Sequence, residues 1–282
     1  MGVLFVLATA PVIACAQARA AAAVIPALIQ IDSPRASADS STTDSLNRNR
    51  IDEVTADIGV APHFRSERDS LEWYSARSAA ERSSGFRLVI SLFDRRLWVV
   101  RGADTLRTAV IAVGMDSTLV WQETEWDFRT PRGRHTIRRK QRNPIWVPPD
   151  WHYVEAATNL GLELRQIERG RPVLLDHGRR IEVRGERISL VESDGAVVPF
   201  AREDEIIVDD VLYIPPFGTI NRQIEGELGR FRLDLGGGYL LHGTPHYLSI
   251  GEAATHGCIR LDDDDIQWLY SNVPTGTRVY IY

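Results

Sequence analysis

One stretch, LLHGTPHYLSIGEAATHGCIRL at residues 240–261, organises the C-terminal half of this 282-residue chain. It begins with an apolar run that predicts a strand ending at His242, and it continues through a Gly-Thr-Pro turn and small residues to Cys258. Packing on a strand fixes the direction of the His242 side chain, so the imidazole is expected to approach Cys258 across a sheet. The pattern therefore predicts a β-rich fold that brings a cysteine and a histidine together.

Cys258 is the candidate nucleophile of this stretch. A cysteine reacts as its thiolate, which requires a neighbouring imidazole or a positive field. His242 is the expected base, and a backbone carbonyl near Gly243 is expected to orient its ring. His256 lies nearer in sequence, but the turn at Gly257 keeps its ring from meeting the thiol easily. Of the two histidines, His242 is therefore the better candidate base.

Residues next to Cys258 favour acyl-transfer chemistry. Gly257 has no Cβ, so the backbone can turn tightly, and its N–H, with that of Cys258, can point at a developing oxyanion. Loss of one such donor typically costs about 10²–10³ in turnover. Arg260 adds a permanent planar cation that suits a substrate carboxylate. The predicted oxyanion and substrate-binding set is Gly257, Arg260, Thr255, Gly243 and Thr244.

Other interpretations of these residues stay open on sequence alone. A lone cysteine is most often a small buried apolar group. The run of acids at 262–265 could bind Ca²⁺, but a capped, solvated helix start is the preferred interpretation. A structural zinc site is the third alternative, although the spacing does not match a finger and only one thiolate is available; its candidate ligands are His242, His246, His256 and Cys258.

Strands and turns predominate on either side of the stretch. The predicted elements are a hairpin over 86–100, a strand over 108–113 that ends at Gly114, a Thr-Pro-Arg-Gly turn at 130–133 and a closing strand over 278–282. Helical patterns occur at 159–169 and at 262–272, where Asp262 is the expected N-cap. Residues 70–83 predict a further short helix, whose apolar side holds Leu71, Trp73, Tyr74 and Ala79.

The N-terminal part predicts export. Residues 1–24 read as a signal, because the apolar run at 3–14 has the length of a signal core and is too short to span a bilayer. Cleavage is expected near residues 16–18, or at a lipobox-like Val-Ile-Ala-Cys that would place a lipid on Cys15. Residues 25–84 are predicted to be a largely disordered linker, since small polar residues dominate them. The predicted location is the periplasm or cell envelope, with membrane anchoring through the N-terminus as an option.

Composition excludes one class of partner. The formal net charge is −5, with 33 basic and 38 acidic residues, and no long basic run occurs, so no nucleic-acid partner is expected. Of the two cysteines, Cys15 lies in the predicted signal, and Cys258 is the other. A single leftover thiol in an exported protein is a candidate reactive group.

These residues together resemble a known family, the YkuD type of L,D-transpeptidase catalytic domain. That family carries His-Gly-Thr and, after a short variable stretch, Ser/Thr-His/Lys-Gly-Cys-Ile/Val-Arg. Here 242–244 and 255–260 match in order, type and spacing, and Thr-Pro-Arg-Gly at 130–133 fits the family's turn. The resemblance covers roughly 86–153 and 215–282. Residues 155–215 are interpreted as an insertion within a catalytic domain that runs over 85–282.

The resemblance implies a mainly β, sandwich-like domain with one or two short helices and a thiol acyltransferase activity. Cys258 would attack the carbonyl between the third residue and D-alanine of a peptidoglycan tetrapeptide stem, with His242 transferring the proton. His256 and Gly257 would shape the oxyanion site, and Arg260 would contact substrate or brace the loop. No metal or organic cofactor is implied, and carbapenems are expected covalent inhibitors. An L,D-carboxypeptidase or cross-link hydrolase and a non-catalytic wall-binding module are the alternatives.

Overall fold

The computed structural model of the chain describes Pro62 and residues 64–282. The predicted signal at 1–24, the possible lipid site at Cys15 and most of the predicted linker lie outside the described residues. Within the described part, no helix combines the length and apolar character that crossing a membrane requires.

The described chain contains three α-helices and many short strands. The helices are α1 Glu67–Glu81, α2 Asp150–Leu160 and α3 Asp263–Asn272. The first strands are β1 Phe86–Ser91, β2 Arg96–Arg101, β3 Asp104–Val110, β4 Val113–Gly114, β5 Thr118–Trp121, β6 Thr124–Asp127, β7 Gly133–Thr136, β8 Arg139–Arg142 and β9 Ile145–Trp146. After α2 come β10 Glu163–Gln166, β11 Val173–Leu174, β12 Arg180–Arg184, β13 Arg187–Val191, β14 Val197–Pro199, β15 Ile206–Val208 and β16 Val211–Ile214. The last strands are β17 Ile224–Glu225, β18 Phe231–Gly236, β19 Tyr239–His242, β20 Ala253–Thr255, β21 Ile259–Arg260 and β22 Arg278–Ile281.

Two sheets enclose the main core. One has the strand order β3-β2-β1-β22-β7, and the other has the order β21-β19-β18-β8. Apolar side chains of both sheets and of α3 form one buried cluster, which includes Leu88, Leu97, Leu233, Leu241, Ile259, Ile266 and Val279. Burial of such side chains contributes about 25 cal/mol per Å² of apolar surface removed from water. The predicted mainly β, sandwich-like fold is confirmed, with the hairpin β1–β2 as its opening element.

Helix α1 lies in the segment predicted to be linker, so the linker ends earlier than residue 84. Its Trp73 is buried and packs edge-on against Tyr282 of the main domain, with ring centroids 5.8 Å apart. Asp69 of the helix also forms a 2.7 Å ion pair with Arg132 in the Thr-Pro-Arg-Gly turn. Its buried face consists of Trp73, Ala76 and Ala80, whereas Leu71 and Tyr74, predicted to face inward, are exposed.

The helix predicted over 159–169 is wrong. Helix α2 begins earlier and ends at Leu160, and its C-cap Gly161 has a φ of 69°, a left-handed value that glycine adopts without strain. The chain then runs as β10, which pairs in parallel with β16. The predicted insertion contains this pairing and a separate sheet of β11–β14 with its own buried core around Ile181 and Ile188.

Helix α3 forms as expected. The Asp262 side chain accepts a 2.7 Å hydrogen bond from the Asp265 amide, which is an N-cap. Asp263 accepts a hydrogen bond from the Tyr247 hydroxyl, and Asp265 is ion-paired with Arg107. These acids therefore cap the helix and form contacts within the protein, which favours the helix-start interpretation over a Ca²⁺-binding loop.

Candidate active site

The sheet pairing brings the two motifs together. β19 and β21 run in parallel, with Leu241 opposite Ile259 and His242 opposite Arg260. Cys258 directly precedes β21 and therefore lies beside Leu240, one side-chain repeat from His242 along the sheet. Leu241 and Ile259 point into the buried core. Because side chains alternate across a strand, His242 and Cys258 both project from the opposite face.

The His242 ring is buried and oriented. Its Nδ1 lies 2.5 Å from the Gly243 carbonyl oxygen, which can only accept, so Nδ1 carries the hydrogen and donates. This is the orienting carbonyl expected near Gly243, and it leaves Nε2 with a free lone pair. Burial lowers the pKa of His242 to about 4, because it disfavours the imidazolium more strongly than the Gly243 bond favours it. At neutral pH the ring is therefore a neutral proton acceptor.

The Cys258 thiol is protonated in the resting structure. It donates to the Gly238 carbonyl, with a sulfur–oxygen distance of 3.8 Å. Removal from water raises the pKa of Cys258 to about 11, although the Leu240 amide and the nearby Arg260 and Arg232 oppose the rise. The resting site thus holds a neutral thiol and a neutral imidazole, without a thiolate–imidazolium pair.

The turn before Cys258 is held by a buried threonine. The Thr255 hydroxyl donates to the Cys258 carbonyl at 2.6 Å and accepts from the Gly257 amide at 3.2 Å. Gly257 has a φ of 110°, and a Cβ there would lie 2.8 Å from the Arg129 carbonyl and 3.0 Å from the Tyr239 ring, so only glycine fits. The expectation that the Gly257 N–H points at an oxyanion is not met at rest, because Thr255 already accepts it.

His256 points into an aromatic contact away from the base. Its ring stacks on Trp151 of α2 and meets Phe128 edge-on at 4.5 Å. Its Nε2 is bound to the Glu155 carboxylate at 2.8 Å. Burial lowers the pKa of His256, while Glu155 acts in the opposite direction. These contacts fasten the turn before Cys258 to α2.

The His-Gly-Thr turn is equally constrained. A Cβ on Gly229 would lie 2.6 Å from the Gly243 Cα, so the two backbones touch. The buried Thr244 hydroxyl accepts from the His246 amide at 3.0 Å, and the His246 ring contacts Glu227. Among the described residues, no three His, Cys, Asp or Glu side chains converge as metal ligands. The zinc arrangement considered above is therefore not formed.

Two arginines flank His242 on its own face. Arg232 of β18 is its partner on one side, and Arg260 of β21 is its partner on the other. Arg260 extends to the Ser249 hydroxyl at 3.5 Å and to Glu227 at 4.0 Å, which favours the loop-bracing role. Sequence analysis missed Arg232, as it missed Trp151 and Glu155. The alternation in Phe-Arg-Leu-Asp-Leu at 231–235 was the available signal, since it predicts Arg232 on the solvent face of a strand.

Two clefts flank the motifs. A cleft of 440 Å³ adjoins the His-Gly-Thr turn and is lined by Thr244, Pro245 and Tyr247. A larger groove of 770 Å³ runs past Tyr239 and Arg129 to helix α1. Neither of these two clefts is lined by His242 or Cys258 themselves.

The family model of the L,D-transpeptidase catalytic domain, YkuD, matches residues 85–281. The chain belongs to this family.

The relatives share limited parts of their length with it. ErfK/SrfK of Escherichia coli, a probable L,D-transpeptidase, is 44% identical over 57 residues, which are 20% of this chain and 18% of that protein. The chain thus matches less than a fifth of that relative's length. The YkuD protein of Bacillus licheniformis is 33% identical over 138 residues, 44% of this chain and 81% of that protein.

Solved structures also match. An L,D-transpeptidase from Xylanimonas cellulosilytica is 16% identical, with a TM-score of 0.37 over 79% of this chain and 65% of that one. L,D-transpeptidase 3 from Mycobacterium tuberculosis, solved with a faropenem-derived adduct, is 16% identical, with a TM-score of 0.35 over 70% of this chain and 60% of that one.

Proposed function

We propose that this chain forms peptidoglycan cross-links as an L,D-transpeptidase, through a thioester on Cys258. The observation that carries the proposal is the shared sheet face of His242 and Cys258, with the His242 ring oriented by the Gly243 carbonyl. Diagonal side chains on a sheet face have Cβ atoms roughly 7–8 Å apart, within reach of a long side chain. A base with a fixed ring beside a thiol is the arrangement that acyl transfer needs.

Acylation moves one proton and exchanges one bond. The donor is a tetrapeptide stem, and the carbonyl under attack joins its third residue to D-alanine. The thiol proton passes to Nε2 of His242 as sulfur bonds to the carbonyl carbon. The imidazolium then gives this proton to the leaving nitrogen, the carbon–nitrogen bond breaks, and D-alanine departs. The product is a thioester between the third residue and Cys258.

Deacylation reverses these roles. An amine of a neighbouring stem, or of a lipoprotein, attacks the thioester carbon and loses a proton to His242. The carbon–sulfur bond breaks, and the proton returns to sulfur, which regenerates the thiol. If water takes the amine's place, the same residues make the chain an L,D-carboxypeptidase or a cross-link hydrolase.

The high resting pKa of Cys258 gives substrate binding a part in activation. Cys258 is partly exposed, and a neutral thiol reacts more slowly with oxidants and alkylating agents than a thiolate does. Transfer of its proton becomes favourable only when the charge that develops on the substrate oxygen is stabilised. Arg260 and Arg232 are near enough to stabilise negative charge at Cys258.

Muropeptide mass spectrometry tests the proposal. Purified protein is incubated with tetrapeptide-containing muropeptides, with a Cys258→Ala variant as control. Dimers and free D-alanine with the wild type alone support cross-linking, and tripeptides without dimers assign the hydrolytic alternative. Release of D-alanine by the alanine variant contradicts the thioester route. Inactivity of both, together with no adduct from a thiol reagent, assigns the wall-binding module.

The proposal also includes export of this chain and its inhibition by carbapenems. Peptidoglycan lies outside the cytoplasmic membrane, so the activity requires the export predicted from residues 1–24, with or without a lipid on Cys15. Carbapenems are proposed to acylate Cys258, because a strained lactam carbonyl is an electrophile of the same class as the scissile amide.

A further inference from the structure

The arginine opposite His242 makes no hydrogen bond or ion pair with another side chain in the described part of the protein. Arg232 is half-buried, and its Nε is fully enclosed without a hydrogen-bond acceptor among the described residues. Asp234, the acid on the same strand face, is bound instead to Arg139 at 3.2 Å and to the Gly236 amide at 2.7 Å. An Nε–H group enclosed without an acceptor loses its hydration and gains no hydrogen bond in return.

The position of Arg232 in the sheet indicates which molecule could supply an anion to its guanidinium. Arg232 lies beside His242 across β18 and β19, while Cys258 lies on the other side of β19. The spacing of neighbouring strands is about 4.8 Å, so the gap across β19 is about 10 Å, which a long arginine side chain spans in good part. Arg232 and Cys258 are near enough for the charge of each to shift the pKa of the other. A leaving residue whose nitrogen faces His242 can therefore lie on the Arg232 side of the site.

The leaving residue of the proposed reaction carries a suitable anion. Its nitrogen must face His242 to receive a proton, and its carboxyl carbon lies only about 2.5 Å from that nitrogen, because N–Cα and Cα–C bonds are about 1.5 Å long. The carboxylate of that residue thus falls next to His242, on one of the two arginine sides. The Nε of each arginine lacks an acceptor, but the terminal nitrogens of Arg260 contact Ser249 and Glu227, whereas those of Arg232 make no hydrogen bond or ion pair within the described part of the chain.

We propose that Arg232 binds the terminal carboxylate of the leaving residue, so that the enzyme selects donors that end in a free carboxylate one residue beyond the scissile bond. The inference rests on the proposed transpeptidase function and names the donor chemistry that the site accepts. A guanidinium pairs with a carboxylate through two parallel N–H···O bonds, which orient the leaving nitrogen as well as bind it. An amidated or extended donor offers no such anion at this position.

The test compares two tetrapeptide donors that differ only at the terminus, one a free acid and one a C-terminal amide. The wild type, Arg232→Gln, Arg232→Lys and the control Arg142→Gln are assayed for release of the terminal residue. Arg142 is an exposed arginine on β8 of the same sheet. Thermal melting checks that each variant is folded, and adduct formation with a carbapenem checks the thiol.

If Arg232 binds the terminal carboxylate, its substitution should change the selectivity between the acid and amide donors and not lower the activity on both. Arg232→Gln lowers kcat/KM for the acid about 10- to 100-fold, the range of a charged hydrogen bond, and leaves the amide nearly unchanged. Arg232→Lys keeps most of the preference, and Arg142→Gln keeps all of it. A wild-type acid preference that survives in Arg232→Gln overturns the inference, as does an equal loss on both donors. If the wild type turns over neither donor, the proposed function fails and this inference fails with it.

Discussion

The His256 imidazole stacks on the Trp151 indole, with ring centroids 3.9 Å apart and 17° between the ring planes. Its Nε2 is bound at the same time to Glu155, one turn further along α2. The histidine nearest to Cys258 in sequence is therefore occupied on its ring face and on one nitrogen. These contacts make His256 a positioning residue for the turn that presents Cys258.

Removal of the stack is expected to slow the reaction without abolishing substrate binding. In Trp151→Ala the turn before Cys258 loses its support on α2, and kcat is expected to fall about tenfold or more, because small misplacements of reacting groups cost up to about 10² in rate. KM should change much less. Trp151→Phe retains a stacking ring and should recover most of the rate. Steady-state kinetics of D-alanine release measure both values, and an alanine variant with wild-type kcat contradicts the positioning role.

The two histidines should differ sharply in mutagenesis. His242→Asn removes the base, so D-alanine release is expected to fall by about 10²–10⁴, the usual contribution of a general base. His256→Gln retains a polar group and should lose about tenfold. Parallel assays of the two variants, each checked by circular dichroism, decide between them. A greater loss in His256→Gln would transfer the base to His256.

The rate of Cys258 alkylation should depend on pH as expected for a neutral thiol with a raised pKa. The pKa of Cys258 is raised to about 11 and that of His242 is lowered to about 4, so both are neutral across the physiological range. Alkylation by iodoacetamide in the absence of substrate should therefore rise about tenfold per pH unit between pH 7 and 10, following the thiolate fraction.

The reference for this experiment is the unfolded chain, whose thiol titrates near 8.5. Unfolded protein should react faster than folded protein at pH 8. A rate that is already constant between pH 6 and 8 in the folded protein would reveal a resting thiolate–imidazolium pair and refute the neutral pair.

Acid should destabilise the fold through His242. The unfolded histidine takes up a proton near pH 6.5, whereas the buried native ring does so only near 4. The unfolded state therefore binds more protons in this window, and the free energy of unfolding falls as the pH drops from 6.5 to 4. The expected loss is roughly 3 kcal/mol, since one pKa unit corresponds to about 1.4 kcal/mol.

Urea unfolding at pH 7, 5.5 and 4.5 measures this loss, with His242→Gln as the variant that cannot take up the proton. The variant should lose less stability on acidification than the wild type. Some loss should remain, because the pKa of His152 is also lowered to about 4 by burial. Identical pH slopes for the two proteins would show that His242 is not buried in its neutral form.

Local patterns predicted the elements whose signals lie within a few residues. The β1–β2 hairpin consists of two apolar runs on either side of the polar Asp-Arg-Arg turn at 94–96, and α3 carries its own N-cap at Asp262. The start of α2 was missed because Pro149 is its N-cap and gives no side-chain hydrogen bond, so the usual polar signal is absent. The inward face of α1 was misjudged because the position of Tyr282, far along the chain, decides which side of that helix is buried.

The same difference between local and distant signals separates the site residues that were predicted from those that were missed. Cys258, His242 and the orienting carbonyl at Gly243 were predicted from one continuous stretch. The stack of Trp151 on His256 joins residues about a hundred positions apart, and Arg232 gains its meaning only from the strand register that sets it beside His242. Such relationships depend on tertiary pairing, which a single sequence does not specify.

Intact-protein mass spectrometry tests the central claim most directly. The wild type and Cys258→Ala are mixed with a tetrapeptide donor or with a carbapenem, quenched in acid and weighed, and the adduct is then mapped by peptide sequencing. The account predicts one added acyl group on the wild type, mapped to Cys258, and none on the alanine variant. An adduct at another residue, or the same adduct on the alanine variant, would contradict it.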